Sequence, residues 1–184
     1  MGEIKKWIFL SRKELLDHSR MRLFEDRVML PNNKEVDYLR MALDNHGVAV
    51  IAINQKNEIL LQREYSYPPD EIMWQLPGGG MESGESIEAA ALRELSEESN
   101  ITAALTKVIG FFYTNNRRSD QKQYVVVCKD LKDEPGTADQ EEFIESKWLS
   151  LKEINKLVIA GEIVNMNLLA ALHLFEKTYL SKNT

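Results

Sequence analysis

"LPGGGMESGESIEAAALRELSEESN", residues 76–100, decides how the rest of the chain is read. Three consecutive glycines, Gly78 to Gly80, follow Pro77, and six glutamates are spread over the residues behind them. From Ser86 to Ser99 there is no Gly or Pro, Ala, Leu and Glu are frequent, and Ile87, Ala91 and Leu95 recur four apart. That spacing predicts a helix with one apolar stripe. Ser86 is placed to cap it, and Glu88 suits its first turn. On such a helix Glu94, Glu97 and Glu98 stand at i, i+3 and i+4, so their carboxylates share a face and repel one another. A solvated acidic face is the ordinary outcome for a Glu-rich helix. Here, however, the acids adjoin the apolar stripe instead of opposing it, and a glycine turn delivers the chain to them. Clustered hard oxygen donors beside turn carbonyls are the surroundings that Mg²⁺ takes, completed by water and substrate phosphates. Arg93 and Glu85 are expected to pair and so brace the turn against the helix.

Upstream, residues 1–45 read as a small β-rich extension, with "WIFL" and "DRVML" as short strands and "PNNKE" as a turn. From His46 the pattern changes. "GVAVIAI" is a continuous apolar run, "NQKN" is turn material and "EILLQREY" a second strand, which together predict a paired hairpin over 47–65. "YSYPPDE" is a loop, and "IMWQLPGGG" is a strand that Pro77 and the glycines end. Downstream, "TKVIGFFYT" and "KQYVVVCKDL" are strands around the basic loop "NNRRSDQ", "KDEPGTADQEE" is an exposed loop and "FIESKWLS" another strand. Two helices close the chain: "LKEINKLVIAG", ended by Gly161, and "NMNLLAALHLFEKTYL", with Leu168, Leu172 and Phe175 on one face. Interspersed strands and helices predict an α/β or α+β sandwich over 46–184.

The 184 residues, 43% hydrophobic, suffice for one domain with a real core. A net charge of -6 argues against a basic face that grips nucleic acid, while a nucleotide-sized substrate stays open. The single cysteine, Cys128, sits in "YVVVC" as a buried structural thiol, which fits a reducing, cytoplasmic setting. No signal peptide or membrane span is expected. His18, His46 and His173 have no companions at metal-ligand spacing and are expected in packing or surface roles.

From Gly79, five residues lead to Glu85, seven more to Arg93-Glu94, then come Leu95, a spacer, Glu97-Glu98, a spacer, Asn100 and Ile101. This pattern resembles the Nudix box, G-x5-E-x7-R-E-U-x-E-E-x-G-U with U apolar. The one departure is Asn100 in place of Gly, and Asn is the next best residue for a left-handed helix cap. The resemblance implies an α/β/α sandwich around a mixed sheet. It also implies attack by water on the pyrophosphate linkage of a nucleoside diphosphate joined to another group. By position, Glu94 and Glu98 become the principal ligands of Mg²⁺, or Mn²⁺ in its place, with Glu97 a further ligand or water-orienting group and the Gly78 carbonyl a backbone ligand. Arg93 and Glu85 become the bracing pair.

Over most of the chain the sequence is similar to the ADP-ribose and nucleotide-sugar pyrophosphatase branch, through "HGVAVIAI", "LLQREYSYP", "WQLPGG" and the tail "EEFIESKWLSLKEINKLVIAGEI". The branch implies a homodimer built by the N-terminal strands. It places Glu142 as a metal ligand and the general base at Gln140, a role that Glu141 or Glu97 would have to take. Three departures bear on the substrate: Ser66 stands for an arginine of the "Q-x-R-x-P" segment, Gln75 for the acid before "L-P-A-G", and Asn116 where ADP-ribose enzymes carry Pro. Candidate substrate contacts are Arg63, Tyr65, Trp74, Arg117 and Arg118, with Tyr67 and Tyr113 further aromatics. The reading is therefore a Mg²⁺-dependent hydrolase of nucleoside diphosphate sugars. Hydrolysis of nucleoside triphosphates or dinucleoside polyphosphates is the alternative chemistry, and a nucleotide-sensing or interaction domain the alternative of another class.

Overall fold

A computed structural model of the protein describes residues 4–43, 45–134 and 144–182. The chain divides into two compact units: Met1–Asn45 with Tyr113–Gln121, and His46–Phe112 with Lys122–Thr184.

The first unit is an antiparallel sheet in the order β1 (Ile8–His18), β2 (Met21–Met29), β3 (Glu35–Leu43). Its second turn is the expected "PNNKE", closed by the Lys34 carbonyl accepting from the Leu30 N–H at 2.8 Å, with Asn33 in the left-handed region at φ 64°. The third strand had no counterpart in the sequence reading. The excursion Tyr113–Gln121 joins this unit through the Met41 N–H on the Arg118 carbonyl at 2.7 Å and the Arg40–Asp120 ion pair, also at 2.7 Å. Inside it, Asp26 is buried beside Phe24 and Val28. Its charge is met by a two-point grip from Arg12, at 2.6 and 2.8 Å, whose guanidinium also lies 4.6 Å from the Phe24 ring centre. A buried carboxylate is tolerable only with such a partner.

The second unit has two three-stranded sheets. One has the order β4 (Gly47–Ala52), β8 (Lys122–Asp133), β7 (Ile101–Tyr113), with β4 and β8 parallel. The other has the order β6 (Glu71–Gln75), β5 (Ile59–Ser66), β9 (Glu145–Leu149), antiparallel throughout. Side-chain alternation sorts the strand residues to two faces. Ala49, Ile51, Ile59, Leu61, Val125 and Val127 pack under α2 (Leu151–Ile159) and α3 (Met166–Leu174), where Ile154, Leu168 and Leu172 are buried. Val50, Ala52, Leu60, Val126 and Cys128 pack instead against Ala91 and Leu95 of α1 (Ile87–Ser99). The result is the expected α/β/α sandwich.

The expected 47–65 hairpin does not form. β4 and β5 lie in different sheets, joined by a single bridge, Ile53 to Ile59. The reason is that both edges of β4 are already used. One pairs with β8; the other takes the glycine segment, through the Val48 N–H on Gly79 O (2.9 Å), the Val50 N–H on Pro77 O (2.8 Å) and the Met81 N–H on His46 O (2.9 Å). The continuous apolar run of β4 is the mark of a strand buried on both faces, not of one half of a hairpin. The last helix is also shorter than its sequence pattern. α-Helix ends at Leu174, and Phe175–Tyr179 forms a π-helical turn in which the Phe175 and Tyr179 rings stack at 5.4 Å.

Arg12 holds the Asp26 carboxyl below the usual carboxylate range. The folded chain therefore binds this proton less readily than the unfolded one. The pair's stabilisation is complete above the unfolded value, about 3.9, and is lost as pH falls through the lower folded value. Asp26→Asn is accordingly less stable than wild type at pH 7, with the gap narrowing as pH falls below the unfolded value, about 3.9; denaturant unfolding at pH 7 and in acid measures it.

Candidate active site

The site is built where the glycine segment, lying along the edge of β4, hands the chain to α1. Gly78 has φ +146°, and a Cβ there would lie 2.1 Å from the Val48 carbonyl oxygen, so the close backbone approach admits only glycine. Gly79 matters in a different way: a Cβ on it would lie 2.6 Å from Oε1 of Glu94 and would push that carboxylate aside. The glycines thus let one strand lie flush with β4 and let a carboxylate of α1 rest against its backbone. α1 is fixed at both ends. Ser86 Oγ accepts from the Ala89 N–H at 3.1 Å, and Asn100 takes the left-handed conformation at φ 54°, ψ 37°, its N–H on Ser96 O at 2.9 Å. Asn100 thus serves where the pattern asks for glycine.

Arg93 gathers the acids. Its Nε and Nη2 grip Glu85 at 3.0 and 3.1 Å, its Nη1 reaches both Glu94 and Glu97 at 2.9 Å, and Nη2 also donates to the Gly80 carbonyl at 2.9 Å. Glu85 in turn accepts from the Glu82 N–H at 2.8 Å. The expected Arg93–Glu85 pair is therefore present. Its first effect is to draw the Glu85 carboxyl below its ordinary range and to hold the Arg93 guanidinium still more firmly protonated than usual. Glu98 turns the other way and accepts the Gly78 N–H at 3.1 Å. Glu94 is buried to 9% exposure, which a charged side chain sustains only with such partners.

Among the described residues, no three His, Cys, Asp or Glu side chains converge as a ready-made metal cage. The donor chemistry nevertheless fits a hard divalent cation: three carboxylates within about one turn of α1, of which Glu94 lies against Gly79 and Glu98 against the Gly78 N–H. Glu141, Glu142 and Gln140 lie outside the described residues.

The remaining predicted residues are placed elsewhere. Arg63 stands opposite Trp74 in the β5–β6 register, with its guanidinium 5.4 Å from the indole and 3.5 Å from Glu145. Trp74 packs with the cluster under α2 and α3, so this pair occupies the sheet face turned away from α1. The Tyr65 hydroxyl donates to Asp70 at 2.8 Å. Arg117 and Arg118 belong to the first unit, where the Arg117 carbonyl accepts from Tyr38 and Arg118 lies over the Tyr38 ring and donates to Leu39 O at 3.2 Å. Cys128 is fully buried, and burial pushes its thiol up to about 12, as expected of an inert structural cysteine. His18 and His46 accept backbone N–H groups from Arg20 and Lys122.

The face of the β5–β6 pair toward α1 holds Gln62 and Glu64, which have no role in the sequence reading, and Gln75, which the sequence marks only as a departure from the branch pattern. Gln62 is fully buried and donates to Ser99 Oγ of α1 at 3.2 Å, and Gln75 donates to Glu64. The available signal was alternation: Leu60 is apolar and faces α1, so Gln62 and Glu64 must follow it.

Comparison with known proteins agrees with this geometry. The family model for the NUDIX domain matches residues 44–169. The chain is 29% identical over 157 residues to an ADP-ribose pyrophosphatase of Bacillus subtilis (strain 168), covering 84% of each protein. It is 28% identical over 155 residues to a methanol dehydrogenase activator of Bacillus methanolicus, covering 83% of each. A solved structure of an ADP compounds hydrolase superposes with a TM-score of 0.88 at 20% identity, over 99% of this chain and 98% of its own. The chain belongs to the Nudix family and is a Nudix hydrolase.

The two glycines give a direct check on the turn. Gly78→Ala is expected to destabilise the protein by more than about 2 kcal/mol, through strain and the clash with Val48. Gly80→Ala, where a Cβ meets nothing within 4 Å, is expected to change stability by less than about 1 kcal/mol. Urea unfolding of the two variants reads the difference.

Proposed function

We propose that the protein hydrolyses the pyrophosphate linkage of nucleoside diphosphate sugars with Mg²⁺, releasing a nucleoside monophosphate and a sugar phosphate. The observation that carries this reading is the group of Glu94 and Glu97, gathered by Arg93, and Glu98, held by the Gly78 N–H, all beside the Gly78–Gly80 turn. The similarity to an ADP-ribose pyrophosphatase supports the substrate class.

In this reading Glu94 and Glu98 hold Mg²⁺, or Mn²⁺ in its place, with Glu97, Glu142 and the Gly78 carbonyl as further donors. Held there, a divalent cation would supply neutralisation of phosphoryl oxygens and a lowered pKa for a water, effects worth on the order of several kcal/mol of barrier. The chain's own residues do the rest. Arg93 holds Glu94 and Glu97 at a fixed spacing, and Glu85 fixes Arg93 in turn, so the acids stay in place as the substrate enters. Water attacks one phosphorus, its bond to the bridging oxygen breaks, and that oxygen leaves on the phosphate that was not attacked. The attacking water's proton passes to Glu141 or, failing it, to Glu97.

A panel of nucleoside diphosphate sugars incubated with Mg²⁺ tests the assignment, with released phosphomonoester measured after phosphatase treatment. Glu98→Gln is expected to lower kcat by on the order of 10²- to 10⁴-fold while the thermal transition stays near that of wild type. Full activity in that variant refutes the metal role. Turnover restricted to nucleoside triphosphates moves the protein to the alternative substrate class.

The cytoplasm is the proposed setting; among the described residues no helix is long and apolar enough to cross a membrane. We also infer a homodimer formed through the first unit. β1 is exposed along its whole length, and it carries Ile8, Phe9, Leu10, Leu15 and Leu16. An apolar run of this kind on a sheet edge is a site of association. Sedimentation is expected to give a dimer for wild type and a monomer for the Ile8→Lys, Leu10→Lys double variant; a monomeric wild type removes the inference.

A further inference from the structure

We propose that Glu64, oriented by Gln75, recognises a vicinal pair of sugar hydroxyls on the substrate. This deepens the nucleoside diphosphate sugar reading and rests on it. Leu60 packs in the cluster beneath α1 and Gln62 donates to Ser99 of α1, so along β5 the side chains of residues 60, 62 and 64 share the face on which the box helix lies. Gln75 is directly opposite Gln62 in the β5–β6 register, hence on the same face, and the chain runs from it through Leu76 and Pro77 to Gly78, whose N–H holds Glu98. Glu64 and Gln75 thus stand on the side of the sheet where the site is built. Arg63 and Trp74 stand on the other.

The second observation is a mismatch in hydrogen bonding. Gln62 is fully buried, and its Oε1 has no hydrogen-bond partner. A buried acceptor left unsatisfied is costly and uncommon. A donor stands across the strand pair from it, yet Gln75 gives its amide to Glu64 and not to Gln62. Gln75 and the half-buried Glu64 are thereby tied together on the face toward α1. Among the described residues no Lys, Arg or His forms an ion pair with Glu64.

The chemistry of the ligand follows. An ionised carboxylate only accepts hydrogen bonds, and once Gln75 has supplied one donor its remaining lone pairs need others. A diphosphate offers no donors and is repelled. The uncharged groups that bring paired O–H donors are the sugars on either side of the diphosphate, and a carboxylate accepting from a ribose hydroxyl is an established way to hold one; the sugar beyond the diphosphate is the one assigned to Glu64. Glu64 is then a specificity residue that contacts substrate, and Gln75 positions it.

The test measures kcat and KM with Mg²⁺ for ADP-ribose, UDP-glucose and GDP-mannose, each against the methyl diester of the same nucleoside diphosphate, which keeps the anhydride and the nucleoside ribose and lacks only the hydroxyls of the sugar beyond the diphosphate. Wild type is expected to prefer a sugar substrate. Glu64→Gln is expected to reduce that preference about 10- to 100-fold, mainly through KM, with kcat/KM for the methyl diester within about twofold of wild type. Gln75→Met is expected to move the preference the same way, by less. Equal losses on sugar and methyl substrates, or an unchanged sugar preference in Glu64→Gln, overturn the assignment of Glu64 while leaving the nucleoside diphosphate sugar reading in place. Failure of wild type to cleave any of the sugars brings down the reading and this inference together.

Discussion

Arg93 holds Glu85, Glu94, Glu97 and the Gly80 carbonyl with one guanidinium, and the rest of the site is arranged around that grip. A planar, permanently charged group with five donors can serve several acceptors at once; a lysine has neither the reach in several directions nor the fixed geometry. The carboxylates it gathers would otherwise repel one another on a single helix face. Because Arg93 and Glu85 are both part-buried, their mutual attraction is screened less than that of a surface pair, and the bracing survives in ordinary salt.

The glycine segment turns that helix into part of a sheet. Gly78 lets the backbone lie against Val48, and Gly79 lets Glu94 lie against the backbone, so the strand edge, the turn and the acids form one continuous structure. The alternation of β4, β5 and β8 then fastens α1 to one face and α2 with α3 to the other. Hydrophobic burial on both faces supplies the rigidity that the acids need, since a donor set on mobile loops would not hold its spacing. The same alternation separates the two polar groups of the β5–β6 pair: Gln62, Glu64 and Gln75 go with the box helix, and Arg63 with Trp74 goes away from it.

Much of this was legible in the sequence because it depends on local arithmetic. The helix, its Ser86 cap, the shared face of the three glutamates and the Arg93–Glu85 pair all follow from residues within a few turns of one another. What was not legible depends on competition between distant segments. β4 and β5 read as a hairpin by their proximity in sequence; the continuous run "GVAVIAI" marks burial on both faces but does not name the strand's edge partners, β8 and "PGGGM". Tyr65, Trp74 and Arg63 were chosen by residue type, whereas the faces they occupy are decided by register. "EVDYLRMAL" passed unread as a strand, since its charged positions alternate weakly with small and apolar ones, and Glu64 was invisible as a candidate until Leu60 and Gln62 fixed which way it points.

The central claim is that these glutamates are held together to receive divalent cations. Titration of Mn²⁺ into the protein, followed by the electron paramagnetic resonance signal of the free ion, tests it without any assumption about substrate. The account predicts that wild type depletes the free signal and that the Glu94→Gln, Glu98→Gln double variant, folded by circular dichroism, does not. Equal depletion by both proteins, or none by wild type even with a nucleoside diphosphate sugar present, would contradict it.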